Sequence, residues 1–278
     1  MSPLILMVVI FLISVAAGTF GALLGLGGGL IVVPALTLGL GIDIRYAVGA
    51  SIVCIIATSS GAAAAYVREG LTNIRVAMFL ETGTTVGGLC GAFLAGLISP
   101  SVLYIIFGSF LGVSAWAMLR KRQESAGPEE PNDRLSETLA LHGSYQDATM
   151  TEPRHYRVSG SLPALGLMLV AGLASGMLGI GSGALKVPAM DLLMRLPLKV
   201  STATSNFMIG VTAAASAGVY FARGDIDPFV AGPVALGVVL GALLGARLLA
   251  RVNPVWLRKV FVVALLLVAV QMFIRGLS

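Results

Sequence analysis

The sequence contains little charge and almost no cysteine or histidine. Charged residues make up 11% of its 278 positions, there are two cysteines and two histidines, and no charged residue precedes Asp43. Soluble domains carry about 25% charged residues, so a water-soluble globule is excluded. A secreted disulfide scaffold is excluded as well, because Cys54 and Cys90 both lie in apolar runs, where we expect them to act as small buried hydrophobes.

The sequence also lacks the signatures of catalysis. It shows no catalytic triad, no Walker loop and no cluster of metal ligands, and its glycine motif is not preceded by the strand that a nucleotide-binding fingerprint requires. We therefore predict no enzymatic activity, no cofactor, no metal and no ATP-driven pumping by this chain alone. The formal net charge is +5. Basic residues at the ends of membrane helices commonly produce a positive net charge, so this charge does not indicate a nucleic-acid partner, and none is expected.

Hydrophobic residues, by contrast, make up 57% of the chain, its mean hydropathy is +0.94, and it has 35 glycines. About 20 apolar residues cross a bilayer as a helix, and glycine favours close packing between such helices. The sequence therefore predicts an all-α integral membrane protein with about five hydrophobic segments in each half. These segments span about 4–24, 28–41, 46–67, 75–97 and 101–119, then 160–180, 184–195, 200–222, 229–250 and 257–274. The second segment of each half is short or broken, so about eight to ten transmembrane helices are predicted.

Charge is concentrated in the middle of the chain and divides it into three regions. Residues 1–120 form the first membrane repeat, 121–157 a polar linker that contains both histidines, and 158–278 the second membrane repeat. The mixed charge of the linker predicts a flexible connection.

The distribution of Lys and Arg residues indicates the topology. If all ten segments cross and the linker is cytoplasmic, most Lys and Arg residues lie on the cytoplasmic side, as the positive-inside rule requires. We therefore expect a multi-pass protein of the cell membrane with both termini outside. Eight full spans with two re-entrant segments are the alternative.

The two membrane regions align with each other at an offset of 154 residues, without a gap over most of each half. The offset aligns Gly25, Gly27 and Gly29 with Gly179, Gly181 and Gly183, Val33-Pro34 with Val187-Pro188, Ser51 with Ser205, Tyr66 with Tyr220, Gly70 with Gly224, and Pro100 with Pro254. An odd number of crossings in each half makes this an inverted repeat. In transporters, such repeats place the solute site near the bilayer midplane, at broken helices. A duplicated membrane scaffold without transport is the alternative.

A glycine-rich motif opens the second segment of each half. It reads Gly25-Leu26-Gly27-Gly28-Gly29 in the first half and Gly179-Ile180-Gly181-Ser182-Gly183 in the second. Glycine permits left-handed backbone, so an interrupted helix is predicted in each half. The free N–H groups at the N-terminus of a half-helix suit an anion. We therefore predict that substrate binds at Gly27, Gly28, Gly29, Gly181, Ser182 and Gly183. The alternative is close packing by small residues.

Two of the charged residues inside the hydrophobic segments are candidates for a function in transport. Lys186 follows the second glycine motif and would pair with an anionic substrate, since a lysine at membrane depth needs protein, water or a counter-charge around it. The alternative is that its side chain extends to the membrane interface. Glu81 lies in the fourth segment, where a buried carboxyl could carry a proton between states. Alternatively, Glu81 lies near the cytoplasmic surface and pairs with Arg75 or Arg68.

Polar side chains open the third segment of each half. Ser51 is in the first half, and Thr204, Ser205 and Asn206 are in the second. Hydroxyl and amide groups can replace the water around the oxygens of an oxyanion, so we predict that these four residues line the substrate site. The alternative is that they link helices by hydrogen bonds.

With these motifs, the sequence resembles the sulfite exporter TauE/SafE family of membrane transporters. The resemblance covers the chain apart from the linker. It is carried by the Gly25–Pro34 motif, its copy at Gly179–Pro188, the segments around Ser51 and Ser205, and the polar linker. It implies a transporter of a small sulfur-containing anion, such as sulfite, a sulfonate or a related organosulfur acid. The second motif departs from the first, with Ser182 in place of Gly28 and Lys186 in place of Val32.

These observations together predict a secondary transporter that moves a small anion by alternating access without ATP. Its partners are the anionic substrate and the lipid bilayer, while the oligomeric state, the direction of transport and the coupling ion stay open. An anion channel with the same site is one alternative. The other is a membrane scaffold or accessory subunit for sulfur metabolism that transports nothing itself.

Overall fold

Helices make up nearly all of the structure. A computed structural model describes residues 3–24, 28–119, 133–146, 152–181, 183–249 and 254–277. The helices of the first half are α1 (Pro3–Leu24), α2 (Gly29–Pro34), which continues into a π-helical turn at Ala35–Gly39, α3 (Ile44–Arg68), α4 (Ile74–Leu97) and α5 (Pro100–Leu119). The linker contains a short helix, α6 (Arg134–Thr138), and the second half has α7 (Ser161–Leu178), α8 (Gly183–Leu192), α9 (Leu198–Arg223), α10 (Pro228–Leu249) and α11 (Pro254–Leu277). Each predicted hydrophobic segment therefore coincides with a helix, and the fold is mostly α as predicted.

Local signals in the sequence explain where several helices begin and end. Asn73 precedes α4, and its Oδ1 accepts a hydrogen bond from the N–H of Val76 at 3.0 Å, as a capping side chain does. The helices α5, α10 and α11 each begin with proline, which suits the first helical position. Gly70 and Gly224 follow α3 and α9 with φ of +67° and +78°, a left-handed backbone that ends a helix.

The outer faces of the helices are apolar. Leu12, Phe93 and Leu97 are among many large apolar side chains that are more than half exposed, an arrangement that suits hydrocarbon and not water. Cys90 is exposed too, so the expectation of burial is wrong for Cys90, whereas Cys54 is buried. Within the described residues, α4 and α7 are long and apolar enough to cross a membrane, by length and composition. The number of crossings stays a prediction.

Glycines allow two pairs of helices to pack in backbone contact. The helix α4 packs along α7, and α10 packs along α1. A methyl group added at Gly176 of α7 would overlap the carbonyl oxygen of Gly88 in α4, and one at Gly241 of α10 would overlap that of Val15 in α1. Membrane helices associate through such small residues, because close approach increases their van der Waals contact. The high glycine content is thus explained in part by helix packing.

The helices of the two halves begin at corresponding positions. The pairs α2 and α8, α3 and α9, α4 and α10, and α5 and α11 each begin 154 residues apart. Two of these pairs also pack on each other, since α3 packs on α9 and α5 packs on α11. The helices α2 and α8 in turn pack on α3 and α9. The helices that carry the glycine motifs are therefore grouped around the α3–α9 contact.

Part of the linker is folded against the helices. A hairpin pairs β1 (Gly143–Tyr145) antiparallel with β2 (Arg154–Tyr156). Leu141 and Val158 are buried in an apolar cluster with Met190 of α8. The predicted flexibility is therefore wrong for the described residues of the linker, 133–146 and 152–157, and the rest of the linker lies outside the described residues. The bounds of the three predicted regions stay a prediction.

Asp133 attaches this folded part of the linker to the start of α7. Its Oδ2 accepts hydrogen bonds from the N–H of Ser161 and the hydroxyl of Ser136, both at 2.8 Å, and its Oδ1 accepts one from the N–H of Leu135 at 3.1 Å. Partial burial acts to raise the pKa of Asp133, but the hydrogen bonds from Ser161 and Ser136 outweigh burial and lower the pKa to about 2. One carboxylate thus stabilises the N-termini of two helices, α6 and α7.

Candidate substrate site

The second half contains the helix break that its glycine motif predicts. The helix α7 ends just before Gly179, α8 begins at Gly183, and Gly179 and Gly181 between them have φ of +61° and +74°. A side chain at Gly181 would also crowd Ile209, because an added Cβ would lie 2.8 Å from Ile209 Cγ2. Glycine is therefore required at Gly181 for both its backbone conformation and its small size. Ser182 lies outside the described residues.

Gly28 and Gly29 lie at the corresponding position in the first half, where α2 begins. Both are buried, and Gly27 lies outside the described residues. A Cβ added at Gly29 would lie 2.5 Å from the hydroxyl oxygen of Ser51 and 2.9 Å from the carbonyl oxygen of Gly179. The start of α2 in the first half therefore packs directly on the helix break of the second half.

Ser51 and Ser205, which the 154-residue offset aligns, have different environments. The hydroxyl of Ser51 donates a hydrogen bond to the carbonyl oxygen of Gly179 at 2.5 Å. The hydroxyl of Ser205 is buried and has no hydrogen-bond partner within the described residues. Its oxygen lies 3.7 Å from the position that a Cβ would take at Gly183, the first residue of α8. A buried hydroxyl without a partner costs about 1–3 kcal/mol, and the oxygen of an anion at this helix terminus would remove that cost.

Thr204 and Asn206 make contacts within the protein. Thr204 Oγ1 accepts a hydrogen bond from the N–H of Asn73 at 3.1 Å, which connects α9 to the start of α4. Asn206 Nδ2 donates one to the carbonyl oxygen of Thr202, one turn earlier in α9, also at 3.1 Å. The contact of Thr204 matches the helix-linking alternative, whereas that of Asn206 stays within α9. The part of both residues in substrate binding stays a prediction.

Lys186 is completely buried in α8. Its exposed fraction is 0%, and its Nζ donates a hydrogen bond to Thr212 Oγ1 of α9 at 2.8 Å. The side chain therefore does not extend to a membrane interface, the alternative that the sequence left open. A charged lysine buried among apolar helices is expensive, so Lys186 is a candidate for a substrate or ion pathway. Its backbone lies in the first turn of the helix that begins at Gly183, and its ammonium group lies at Thr212.

Glu81 of α4 contacts the same threonine. Glu81 Oε1 accepts hydrogen bonds from Thr212 Oγ1 at 2.7 Å and from Thr85 Oγ1 at 3.0 Å. Its Oε2 is buried and has no hydrogen-bond partner within the described residues. Glu81 as a whole is 7% exposed, so the alternative of a carboxylate at the surface paired with an arginine does not match the structure. The hydroxyl of Thr212 thus lies between an acid from the first half and a base from the second.

Thr212 is the residue of this group that sequence reasoning missed. Threonine in an apolar helix commonly bonds back to its own helix, and Thr212 Oγ1 does lie 3.0 Å from the carbonyl oxygen of Met208. One feature of the sequence could have drawn attention to Thr212: the 154-residue offset aligns it with another threonine, Thr58. Its contact with Glu81 and Lys186 could not be read from spacing, because the three residues lie on three different helices.

A surface cleft lies elsewhere, between the start of α4 and the linker. Its volume is about 310 Å³, and it is lined by Arg75, Glu137, Ala140, His142 and Arg157. The two arginines and the glutamate are exposed, and these five residues are outside both glycine motifs. The cleft is therefore separate from the candidate site at the helix breaks.

Non-helical backbone at membrane depth is tolerated only where it is buried in protein or lines a water-filled cavity. Together with ionisable residues buried among apolar helices, the helix break around Gly181 indicates a class of protein, the helical membrane transporters. The chain belongs to the sulfite exporter TauE/SafE family, which it matches over residues 10–272. It is accordingly a membrane transporter and not an enzyme.

Individual relatives carry names of the same kind. The chain is 29% identical over 209 residues to the probable membrane transporter protein YunE of Bacillus subtilis, a match that covers 73% of each chain. It is 26% identical over 237 residues to the probable membrane transporter protein YdhB of the same organism, which covers 85% of this chain and 86% of the relative. The match to the probable membrane transporter protein MamO of Magnetospirillum gryphiswaldense, at 27% identity, covers 82% of this chain and 38% of the relative. No solved structure matches the chain.

Proposed function

We propose that this chain is a multi-pass secondary transporter of the cell membrane, which moves a small anion by alternating access without ATP. The anion is expected to contain sulfur, as sulfite, a sulfonate or a related organosulfur acid, which the name of the family suggests. The observation that carries the proposal is the fully buried ammonium group of Lys186, in a helix that begins at a glycine break.

The N-terminus of α8 supplies the anion site in this proposal. The first N–H groups of a helix have no partner within the helix, and they carry a partial positive charge. The unpartnered hydroxyl of Ser205 lies beside this terminus, and Lys186 adds a full positive charge from the first turn. A dehydrated oxyanion needs donors of this kind to replace its hydration shell, and glycine at Gly181 and Gly183 allows it to approach the backbone.

The paired helix starts and the packing between the halves support an inverted repeat of about five segments in each half. The helix α4 packs on α7 and α10 packs on α1, as expected if a two-fold axis in the membrane plane exchanges the two halves. The two glycine breaks would then meet near the midplane, where Ser51 of one half contacts Gly179 of the other. An exchange of conformation between the halves would expose the site to each side of the membrane in turn.

The contacts of α4 support a topology with the linker in the cytoplasm and both termini outside. At the N-terminus of α4, Asn73 Nδ2 donates a hydrogen bond to the carbonyl oxygen of Leu141 in the linker at 2.9 Å. Near its C-terminus, carbonyl oxygens of this segment accept hydrogen bonds from Arg223 at 2.8 Å and from Arg45 at 3.2 Å. The linker and these two arginines thus lie at opposite ends of α4, as the ten-segment arrangement requires.

Uptake into liposomes that contain the purified protein tests the proposal. The probes are labelled sulfite, thiosulfate and methanesulfonate, without ATP. We expect saturable uptake of at least one of them and loss of that uptake in Lys186→Met, because the buried positive charge is removed. Lys199→Met is the matched control, since Lys199 is an exposed lysine of α9, and we expect it to retain uptake.

Two results would favour the alternatives. Uptake that does not saturate and follows the electrochemical gradient alone would indicate an anion channel. Absence of uptake for all three anions, together with activity only in the presence of another membrane protein, would indicate a scaffold or accessory subunit. Either result would overturn the proposal of a secondary transporter.

A further inference from the structure

We infer that transport by this protein is electroneutral, with one proton carried on Glu81 for each monovalent anion held at Lys186. The inference rests on the proposed transport function and extends it to the charge of the substrate and to the coupling ion. Its basis is the buried contact among Glu81, Thr212 and Lys186, which we term the Glu–Thr–Lys group.

The Glu–Thr–Lys group joins three helices through a single hydroxyl. Thr212 Oγ1 lies 2.8 Å from Lys186 Nζ and 2.7 Å from Glu81 Oε1. The other carboxyl oxygen, Glu81 Oε2, has no hydrogen-bond partner within the described residues. In this conformation the lysine and the carboxylate therefore compensate each other through Thr212, and Oε2 is left as the atom at which a proton can bind.

Other ionisable groups on the helices around Glu81 lie away from the Glu–Thr–Lys group. The sequence of α7 contains no ionisable side chain, and Cys90 of α4 is on the exposed face. Tyr220 of α9 uses its hydroxyl to donate to the carbonyl oxygens of α7. The remaining charged residues of α4, α8 and α9 occupy the first two or the last two positions of their helices: Arg75, Asp191, Lys199 and Arg223. Lys186 is therefore the charge that Glu81 meets at depth.

The cost of an uncompensated buried charge selects the charge states that the carrier can adopt. Removing one partner of a buried ion pair is strongly destabilising, because the remaining charge is buried without compensation. Without substrate, ionised Glu81 compensates Lys186. When a monovalent anion binds at Lys186, the site holds two negative charges against one positive charge, unless Glu81 takes up a proton. The loaded and the empty states are then both neutral, so one proton enters and leaves with each anion.

The same argument selects the charge of the substrate. A divalent anion would leave one negative charge uncompensated even with Glu81 protonated, so monovalent anions such as sulfonates and hydrogen sulfite are favoured over thiosulfate. The offset of 154 residues aligns Lys186 with Val32, Glu81 with Ala235 and Thr212 with Thr58. The equivalent positions in the other half therefore carry no charge, and each chain has one such group.

Proton and anion movements measured together in liposomes test the inference. The probe is labelled methanesulfonate, the lumen contains a pH-sensitive dye, and potassium with valinomycin sets the membrane potential. For the wild type, we expect one proton to enter with each methanesulfonate, at a rate that does not depend on the membrane potential. Thiosulfate uptake should be slower and should depend on the potential.

Glu81→Gln is the decisive variant, because glutamine is a neutral side chain of the same shape as the protonated acid. We expect this variant to exchange internal for external methanesulfonate, since its loaded state is still neutral. Net uptake and proton movement should be lost, because the empty state would leave Lys186 uncompensated. Thr212→Val should slow net uptake, and Thr58→Val is its matched control, since the hydroxyl of Thr58 donates to carbonyl oxygens of its own helix.

A binding measurement keeps the test independent of turnover. In weakly buffered detergent solution, methanesulfonate binding should take up protons from the solution for the wild type and none for Glu81→Gln. Methanesulfonate uptake that depends on potential without proton movement, or proton movement that persists in Glu81→Gln, would overturn the inference and leave the proposed transport intact. Absence of flux and of binding for all the anions would overturn the proposed function as well.

Discussion

The hydroxyl of Ser51 in α3 donates a hydrogen bond to the carbonyl oxygen of Gly179, 2.5 Å away, at the end of α7. The two residues are 128 positions apart, and the contact is buried. Gly179 has left-handed backbone, and its carbonyl belongs to the segment that separates α7 from α8. One side chain of the first half therefore holds the backbone of the second half's helix break.

Ser51→Ala should destabilise the protein. The substitution leaves the buried carbonyl of Gly179 without its donor, and an unsatisfied buried group costs about 1–3 kcal/mol. We expect a lower midpoint of thermal unfolding for the purified variant in detergent.

Ser205→Ala is the matched control, because the same atom is removed at the aligned position. The hydroxyl of Ser205 has no partner within the described residues, so we expect the thermal midpoint to stay constant or to rise. Anion affinity should instead weaken by up to about tenfold, the equivalent of one hydrogen bond. If Ser205→Ala lowers stability as much as Ser51→Ala and leaves affinity unchanged, Ser205 is not a substrate donor.

Gly176→Ala should weaken the contact between α4 and α7. The added methyl would overlap the carbonyl oxygen of Gly88, and overpacking of this kind costs about 1–3 kcal/mol. The control is Gly166→Ala in the same helix, where an added Cβ meets nothing within 4 Å. Alanine there should be neutral or stabilising by up to about 1 kcal/mol, since glycine is the poorer helix former. Thermal unfolding of both variants in detergent measures the difference, and equal midpoints would contradict the predicted close packing.

The sequence was sufficient for the helices and for the position of the helix break in the second half, and insufficient for the contacts between side chains. Hydrophobic length and the glycine motifs are local signals, and they predicted α8 and the break around Gly181 to within a few residues. The offset of 154 residues aligned Ser51 with Ser205 but could not show that one is bonded and the other is not. That difference, like the contact of Glu81 with Thr212, depends on how separate helices pack, which no local pattern encodes.

For the linker, the prediction from composition was wrong in part. The composition predicted a flexible segment, but the described part of the linker is folded. Mixed charge and few apolar residues are typical of disordered segments. The folded part depends on a few specific contacts, such as burial of Leu141 and Val158 and the hydrogen bonds of Asp133. Amino-acid composition contains no information about such individual contacts, so the fold of residues 133–146 could not be predicted from composition.

Asp133→Asn should make the stability of the protein less dependent on pH in the acid range. The pKa of Asp133 is about 2 in the folded protein against an ordinary value of 3.8, so its carboxylate stabilises the fold above about pH 4 and loses this effect as the pH falls to about 2. Asparagine removes the charge and keeps one of the two acceptor oxygens. We expect the wild type to be more stable than the variant at pH 7, by roughly 1 kcal/mol, and the difference to shrink as the pH falls to about 2. Denaturant unfolding at several pH values checks this, and a difference that does not change with pH would contradict it.

Lys186→Met should cost more stability alone than in combination with Glu81→Gln. The single substitution leaves the carboxylate of Glu81 buried with hydroxyl donors but no cation, whereas the double substitution leaves two neutral side chains. Residues that share a network couple by about 0.5–3 kcal/mol, and we expect a coupling at the upper end of this range because both groups are buried. Thermal or denaturant unfolding of the wild type, both single variants and the double variant in the same detergent gives the coupling directly. If the two effects simply add, Thr212 does not transmit the interaction between acid and base, and their charges are compensated by other groups. A large coupling would show that the first half and the second half are held together at this point by charge.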